Sequence, residues 1–335
     1  MRTWISFGSM KSLLMVGIAL GATTANAQSS GYIFKTLDIP SNGSYAEGIN
    51  DAGQVVGYGQ TSYPSYAFTE TDGSYTTFDY PATSETFAYG INNAGQIVGA
   101  SDDDGAFLDT KGTFTLIRVP GAWGATSAYG ISDNGMIVGT YRHSSGGELG
   151  FVDTNGTFTT LNDPLGTAGT YAQGINNAGQ IAGYYATNSA PYYNGFVDTN
   201  GTFTTIDDPL GVNGTHAYGI NNAGQIVGSY ENRYLVSQGF IDTNGTFTTV
   251  EDPLGTEGSW ADGINSNGDI VGYYEDSSGN DHGFLATPDG TSTDGAPLPV
   301  SGGTLPGAAV LLGWLARRLA TRRKAQPNHL QPAAA

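Results

Sequence analysis

Tyr45-Ala46-Glu47-Gly48-Ile49-Asn50-Asp51-Ala52-Gly53-Gln54-Val55-Val56-Gly57 is the first of six copies of one phrase, with close variants beginning at Phe87, Ser127, Tyr171, His216 and Trp260. Between the glycines that precede Ile (Gly48, Gly90, Gly130, Gly174, Gly219 and Gly263) the spacings are 42, 40, 44, 45 and 44 residues. A period in that range marks a propeller, a solenoid or an array, because each unit is one supersecondary module that buries its apolar faces only against its neighbours.

Each repeat reads as four short strands. The phrase itself gives strand A (Ala-x-Gly-Ile-Asn) and strand B (Gln-Ile-Val-Gly-x-Tyr), with Gly53, Gly95, Gly135, Gly179, Gly224 and Gly268 closing the turn between them. A left-handed residue there makes a bulged hairpin loop. Strands C and D follow as Gly150-Phe151-Val152-Asp153-Thr154-Asn155-Gly156-Thr157-Phe158-Thr159-Thr160-Leu161 in the third copy. Asn-Gly between two alternating runs is the strongest short hairpin signal, since a type I′ turn needs positive φ at both central residues. Asp-Thr-Asn-Gly recurs at Asp198 and Asp242, with looser versions at Asp109 and Thr71. Pro40, Pro81, Pro120, Pro164, Pro209 and Pro253 follow the D strands, which suits an outermost strand because proline lacks a ladder donor.

The ends of the array discriminate between a ring and a stack. The chain has a lone D-like strand, Tyr32 to Ile39, before the first repeat, and the last repeat stops after its C-like strand at His282-Gly283-Phe284-Leu285. One missing strand is matched by one spare. In a ring the N-terminal strand completes the last unit; a linear solenoid would instead need capping units. The expected fold is therefore all-β, a six-bladed β-propeller of four-stranded antiparallel blades, with the ring closed by the N-terminal strand joining the last blade.

Period-two geometry places Ala, Gly and Asn of strand A on one face and Ile with the residue two before it on the other. Ile49, Ile91, Ile131, Ile175, Ile220 and Ile264, with Phe107, Phe151, Phe196, Phe240 and Phe284, are expected as core between blades.

Outside the array, Arg2 and Lys11 flank the approach to an apolar stretch, Ser12 to Ala22, and Ala25-Asn26-Ala27 is a small-residue cleavage site, so residues 1–27 read as a signal peptide. The propeller domain is then 28–290, a linker with a sorting motif 291–304, a hydrophobic helix and basic cluster 305–325, and a polar tail 326–335. Once the leader and the basic cluster are removed, 5 basic residues face 30 acidic ones, a net of −25. Such a surface repels phosphate backbones and excludes nucleic acid as a partner. With no cysteine, there is neither a disulfide framework nor a thiolate metal site.

The phrase Gly-Ile-Asn-Asn-Ala-Gly-Gln-Ile-Val-Gly, together with His282-Gly283-Phe284-Leu285, resembles the HAF-type probable extracellular repeat proteins over about Tyr32 to Thr287. That resemblance implies export and a β-repeat fold, and no enzymatic role. Pro297-Leu298-Pro299-Val300, the apolar Leu305 to Ala316 and the basic Arg317, Arg318, Arg322, Arg323 and Lys324 resemble a VPLPA-type PEP-CTERM sorting signal. Ala296 stands where that signal has Val, and a polar tail follows. The resemblance implies an exosortase-type sorting enzyme as partner, transient inner-membrane association through 305–325, and the surface of a Gram-negative bacterium as destination. A C-terminal amphipathic or membrane-tail helix is the other reading of the segment.

Searching for chemistry gives little. His143, His216 and His282 have no metal-ligand spacing, and no nucleophile elbow or phosphate loop is present. His216 holds a slot filled elsewhere by Tyr45, Phe87, Ser127, Tyr171 and Trp260, which points to packing. No cofactor is expected. Calcium is the ion to weigh, because Asp-Thr-Asn-Gly and Ser101-Asp102-Asp103-Asp104-Gly105 offer hard oxygens, but neither matches the calcium-loop pattern. In the first, Asp bonding its own turn suffices, and the acidic triplet reads as solvated.

Binding is better supported. Glu47, Tyr89, Tyr129, Gln173, Tyr218 and Asp262 differ at one slot of the repeat, as a ligand-binding face would. Relaxed packing at that slot would look the same. Tyr58, Tyr141, Tyr184, Tyr185, Tyr192, Tyr193, Tyr230, Tyr273 and Tyr274 cluster where strands fray, either as platforms for sugar rings or as covers for blade edges. The expected function is an exported, non-enzymatic binding or structural module for extracellular polysaccharide or a surface protein. The alternative is a glycan-active hydrolase or lyase using carboxylates at one mouth of the ring, Glu47 with Asp262 being the asymmetric pair.

Overall fold

The computed structural model describes residues 26–290, except 30, 40, 61–63, 82, 104, 145 and 190. The expected leader, sorting motif, hydrophobic helix and tail lie outside the described residues, apart from the end of the leader at Asn26 and Ala27. No helix among the described residues is long and apolar enough to cross a membrane.

The chain opens with β1 (Asn26–Ser29) and β2 (Tyr32–Leu37). Blade one is β3 (Gly43–Ile49), β4 (Val55–Gln60), β5 (Ser65–Thr71) and β6 (Ser74–Phe78). Blade two is β7 (Thr86–Ile91), β8 (Gln96–Ser101), β9 (Gly105–Thr110) and β10 (Thr113–Leu116). Blade three is β11 (Ala122–Ile131), β12 (Met136–His143), β13 (Glu148–Thr154) and β14 (Thr157–Leu161). Blade four is β15 (Gly169–Ile175), β16 (Ile181–Ala186), β17 (Tyr193–Thr199) and β18 (Thr202–Ile206). Blade five is β19 (Thr215–Ile220), β20 (Ile226–Glu231), β21 (Ser237–Thr243) and β22 (Thr246–Val250). Blade six takes β23 (Gly258–Ile264), β24 (Ile270–Glu275) and β25 (Asp281–Pro288) from the end of the chain.

The sixth blade is completed from the other end. β2 pairs antiparallel with β25, Tyr32 opposite Pro288 through Leu37 opposite Gly283. This is the closure expected from the spare strand, and the architecture is the expected propeller. Two details differ. β1 pairs outside β2, so blade six has five strands, and β1 straddles the expected cleavage point after Ala27. Blades three and four are stitched into one eight-stranded sheet by a single parallel bridge, Glu148 to Gly169.

The turn chemistry behaves as its residues require. Asn155, Asn200, Asn244, Lys111 and Asp72 have φ of 51 to 55°, and each is followed by a glycine at 81 to 83°, the two left-handed residues of a type I′ turn. Asp153 Oδ1 accepts the Gly156 N–H at 2.6 Å, and Asp109 and Asp242 do the same for Gly112 and Gly245 at 2.7 Å. Those carboxylates are committed to their own turns. Asp163, Asp208 and Asp252 likewise accept the N–H two residues on, at 2.8 to 2.9 Å. Asp102 of the acidic triplet is exposed, as expected, and also ties its loop: it accepts from Ser84 Oγ at 2.6 Å and from the Glu85 N–H at 3.0 Å.

Between blades the core is continuous around the ring. One cluster joins Leu37, Ile39, Phe68 and blade six's Val271; another joins Val227 and Val250 of blade five to Phe284 and Ile264 of blade six. Phe68, Phe107, Phe151, Phe196, Phe240 and Phe284 have no solvent exposure, each burial contributing about 1.5–3 kcal/mol. The sequence had pointed to five of these six; Phe68 holds the same place in blade one. Each phenylalanine lies against the strand-B glycine of its own blade, as Phe68 does against Gly57 and Phe107 against Gly99.

Two groups pin the closure. Lys35 of β2 donates to Glu70 of blade one at 3.4 Å, with the Glu70 carboxylate buried. His282 of β25 bridges Asp38, just beyond β2, at 3.0 Å and Asp276 at 3.4 Å. Burial draws the His282 pKa down, but the two carboxylates outweigh it and raise it above 6.5. A raised histidine pKa stabilises the folded state fully below pH 6.5 and loses that contribution as pH rises through the folded value. His282→Gln is expected to lower stability at pH 6 and to have a smaller effect at pH 9, read from denaturant midpoints.

The strand-B glycines make a second expectation. A Cβ on Gly99 would collide with the Phe87 carbonyl oxygen and the Phe107 ring, whereas one on Gly112 would meet nothing within 4 Å. Gly112→Ala should cost about 1–2 kcal/mol, for its left-handed backbone alone. Gly99→Ala should cost at least about 3 kcal/mol or prevent folding, since overpacking adds to a backbone clash.

Candidate functional site

Each innermost strand carries a one-residue register shift in the same place, between Ala46 and Gly48 in β3 and between Ala261 and Gly263 in β23. The same shift recurs in β7, β11, β15 and β19. The extra residues are Glu47, Tyr89, Tyr129, Gln173, Tyr218 and Asp262. A β-bulge breaks the ladder locally and re-aims one side chain. Strict alternation, as read from the sequence, misses this bulge. Its consequence is that these six residues, which differ from blade to blade, line one cavity of about 420 Å³ on the ring axis. The structure therefore brings together every member of the candidate set.

On the other side of the axis a second cavity of about 380 Å³ is lined by the strand-A asparagines and the turn residues after them. Ile49, Ile91, Ile131, Ile175, Ile220 and Ile264 border both cavities, so they form a collar between them, an axial position in addition to the expected core. The asparagine side is a closed polar lattice. Asn50 Nδ2 donates to the Asn92 carbonyl at 3.2 Å, Asn92 to Ser132, Asn176 to Asn221, Asn221 to Asn265, and Asn265 back to Asn50 at 3.1 Å. Ser132, standing where the other blades have Asn, interrupts the circle. The Asp51 and Asp133 carboxylates are occupied by Asn93, Asn177 and Ser266. Its polar groups bond one another, and this mouth is read as structural.

The bulge side is different in kind. Glu47 of blade one and Asp262 of blade six are neighbours across the closure. Both are half-exposed to the open cavity yet encircled by protein. Burial pushes the Glu47 carboxyl up to about 7. Burial, and then the charge of Glu47, push Asp262 well above its ordinary range. Asp262 Oδ2 is buried with no hydrogen-bond partner. No lysine, arginine or histidine lines the cavity.

Aromatic rings stand behind and beside this pair. Tyr45 stacks on Tyr58 at 4.7 Å and meets Tyr273 edge-on at 4.9 Å across the blade six to blade one boundary. Trp260 stacks on Tyr273 at 4.6 Å, and Tyr89 lies 4.9 Å from Tyr129. His216 packs between Tyr184 and Tyr193 at 4.6 and 4.7 Å, and burial lowers its pKa to about 4, so it is a neutral packing residue. The tyrosines expected at frayed strand ends divide by environment. Tyr141, Tyr185, Tyr230 and Tyr274 are core; Tyr58, Tyr184 and Tyr273 back the cavity; Tyr192 and Tyr193 are exposed. Of the two readings, covers for blade edges fits Tyr141, Tyr185, Tyr230 and Tyr274, and an exposed platform is left only to Tyr192 and Tyr193. Strand B is fully paired where the sequence suggested fraying.

Loops leading into strand A and those between strands B and C rim the same mouth. Together with the start of β11 they expose Trp123, Leu165, Tyr192, Leu210, Tyr234 and Leu254, of which the sequence reading singled out only Tyr192. The repeated Asp-Pro-Leu-Gly at 163, 208 and 252 was the available signal for three of them.

No protein-family description matches the sequence, and no curated protein sequence matches it. Among solved structures, the chain is similar to the Aleuria aurantia lectin in complex with Fucα1-6GlcNAc, at 13% identity and a TM-score of 0.48, over 80% of this chain and 100% of the lectin. It is similar to a gluconolactonase from Xanthomonas campestris at 13% identity and a TM-score of 0.49, over 81% and 99% of the two chains. A thermostable family-43 glycoside hydrolase aligns at 10% identity with a TM-score of 0.36, over 78% of this chain and 99% of the hydrolase. At these values the chain's own residues have to carry the functional argument.

The raised carboxyls set a pH expectation. The folded chain retains protons on Glu47 and Asp262 that the unfolded chain releases near pH 4.5 and 3.8. Stability therefore falls as pH rises from about 4 to about 7. Replacing both, Glu47→Gln with Asp262→Asn, should make the protein more stable than wild type at pH 8, by on the order of 1 kcal/mol once solvent screening at the open cavity is allowed for. At pH 4 the difference should vanish. Denaturant titrations at the two pH values measure it.

Proposed function

We propose that this chain is an exported, non-enzymatic binding module that acts at the surface of a Gram-negative bacterium and engages extracellular polysaccharide through the Glu47 mouth of its propeller. The observation that carries this reading is the convergence of six slot residues that differ between blades on one cavity, two of them carboxyls with no cation beside them, while the polar groups of the opposite mouth bond one another. Tyrosine faces beside carboxyl and amide groups suit sugar rings, which offer apolar faces and polar edges together.

The resemblance to extracellular repeat proteins and the signal-like ends support export and sorting in the same proposal. An exosortase-type enzyme would process the C-terminal segment, and residues 305–325 would hold the chain at the inner membrane until then. The exposed apolar fringe supports contact with a second macromolecule at this face, and a surface protein is the other partner class.

A second reading has its own observation. Two neighbouring carboxyls with raised pKa are what a glycan-active hydrolase or lyase requires of an acid and its partner. Against it, the inner oxygen of Asp262 has no hydrogen-bond partner among the described residues to orient it.

Binding of the purified chain to the native exopolysaccharide and a glycan panel, with cleavage assayed in the same samples, separates the readings. Saturable binding without turnover is expected. The double substitution Tyr89→Ala with Tyr129→Ala should weaken it at least about ten-fold, the equivalent of one good stacking contact. Turnover lost in Glu47→Gln would establish the enzyme reading. Unchanged affinity in the tyrosine variant would move the site away from the axis.

A further inference from the structure

We propose that the ligand places an ammonium group in the axial cavity, with Glu47 and Asp262 as its counter-ions and the tyrosines as its walls. This inference rests on the reading of the Glu47 mouth as the binding face, and it specifies the chemical class that the mouth selects.

The first argument is an imbalance of charge. Two carboxyls sit side by side inside the ring, and the cavity they share contains no lysine, arginine or histidine. Most other buried acids of the described chain are provided for, although one buried oxygen of Asp198 also has no partner. Glu70 has Lys35 and the Gly73 N–H; Asp153, Asp163, Asp208 and Asp242 each have a backbone N–H. The axial pair is set apart by lying side by side in a cavity with no cation in its lining, and burying a charge without a partner is costly. A counter-ion brought by the ligand would remove that cost.

The second argument is the orphaned oxygen. Were the two acids to neutralise each other through a shared proton at Asp262 Oδ2, that oxygen would have Glu47 as a hydrogen-bond partner. It is buried and has none. An ammonium group has three N–H donors and no acceptor. The Glu47 and Asp262 carboxyls, from adjoining blades one and six, line the cavity side by side, and Gln173 of blade four lines it as well.

The third argument is the wall itself. Tyr89, Tyr129 and Tyr218 share the lining with the acids, and Tyr58 and Tyr273 stand close enough to feel their charge. Aromatic faces attract a cation through the ring quadrupole, more strongly where water is excluded. A bare divalent metal would need six or more oxygen ligands, and no group of three or more acidic or histidine side chains is placed to hold one among the described residues. The cavity is open to solvent at its mouth, so a ligand need place only its ammonium end inside. The net charge of −25 on the exported body would draw cations toward it.

Within the polysaccharide reading, the ligand is then an amino sugar whose nitrogen is not acetylated. A direct test titrates the full chain with a β-linked glucosamine tetramer, with its fully N-acetylated counterpart, and with ethanolamine as a sugar-free amine. The glucosamine tetramer is expected to bind at least ten-fold more tightly than the acetylated one, with an affinity that falls as potassium chloride is added. Glu47→Gln and Asp262→Asn should each reduce that preference, with thermal transitions and circular dichroism spectra matching wild type certifying that the variants are folded. Equal binding of both tetramers would overturn the ammonium inference and leave the polysaccharide reading standing. Carboxyl-dependent binding of ethanolamine with neither tetramer bound would uphold the inference and remove the polysaccharide reading. Binding of none of the three would overturn the inference and leave a protein partner for the surface.

Discussion

Six inner strands crowd around the axis of this protein because each has a glycine where any other residue would collide with the next strand. A Cβ on Gly48 would lie 2.7 Å from the Tyr89 carbonyl oxygen, and one on Gly130 the same distance from that of Gln173. The relation passes from blade to blade until Gly263 meets the Glu47 carbonyl, also at 2.7 Å, and the circle is complete. The carbonyl that each glycine admits belongs to the bulged residue of the neighbouring blade. The constraint that closes the ring therefore also fixes the backbone of the six slot residues, and only their side chains are left to vary.

Much of this was legible in the sequence because the turns are chemically explicit. Asn155-Gly156 and its relatives specify two consecutive left-handed residues, and the spare strand before Tyr45 matches the deficit after His282. Ring closure could be read from that bookkeeping of strands without any contact being known. The bulge could not. Glu47 and its counterparts lie inside an alternating run, and a register shift is set by how strand B meets strand A across the hairpin, which the alternation of one strand does not record. The tyrosines stayed open between two readings for a related reason: aromatic residues at strand ends look alike in sequence whether a neighbouring blade covers them or not. Tyr141 and Tyr230 are covered, and Tyr192 is exposed.

The two mouths show how one repeat yields two surfaces of different character. On the asparagine side the repeat is nearly symmetric, and the side chains spend their donors and acceptors on one another. On the bulge side symmetry is broken by residue identity, with acids on blades one and six, tyrosines on two, three and five, and glutamine on four. The two acids come from positions 47 and 262, which meet because β2 closes the ring. Function at this mouth depends on closure in a literal sense, since an open stack would leave each acid at a separate end.

That dependence makes carboxyl titration by NMR the most direct measurement, following the side-chain resonances of Glu47 and Asp262 in the wild type and in each single variant. The account predicts that both titrate above the ordinary carboxylate range and that Glu47→Gln shifts the Asp262 curve downward, because the two sites feel each other. Two independent titrations near ordinary values, unchanged by either substitution, would mean that the acids do not share a cavity and would contradict both the closed ring and its axial site.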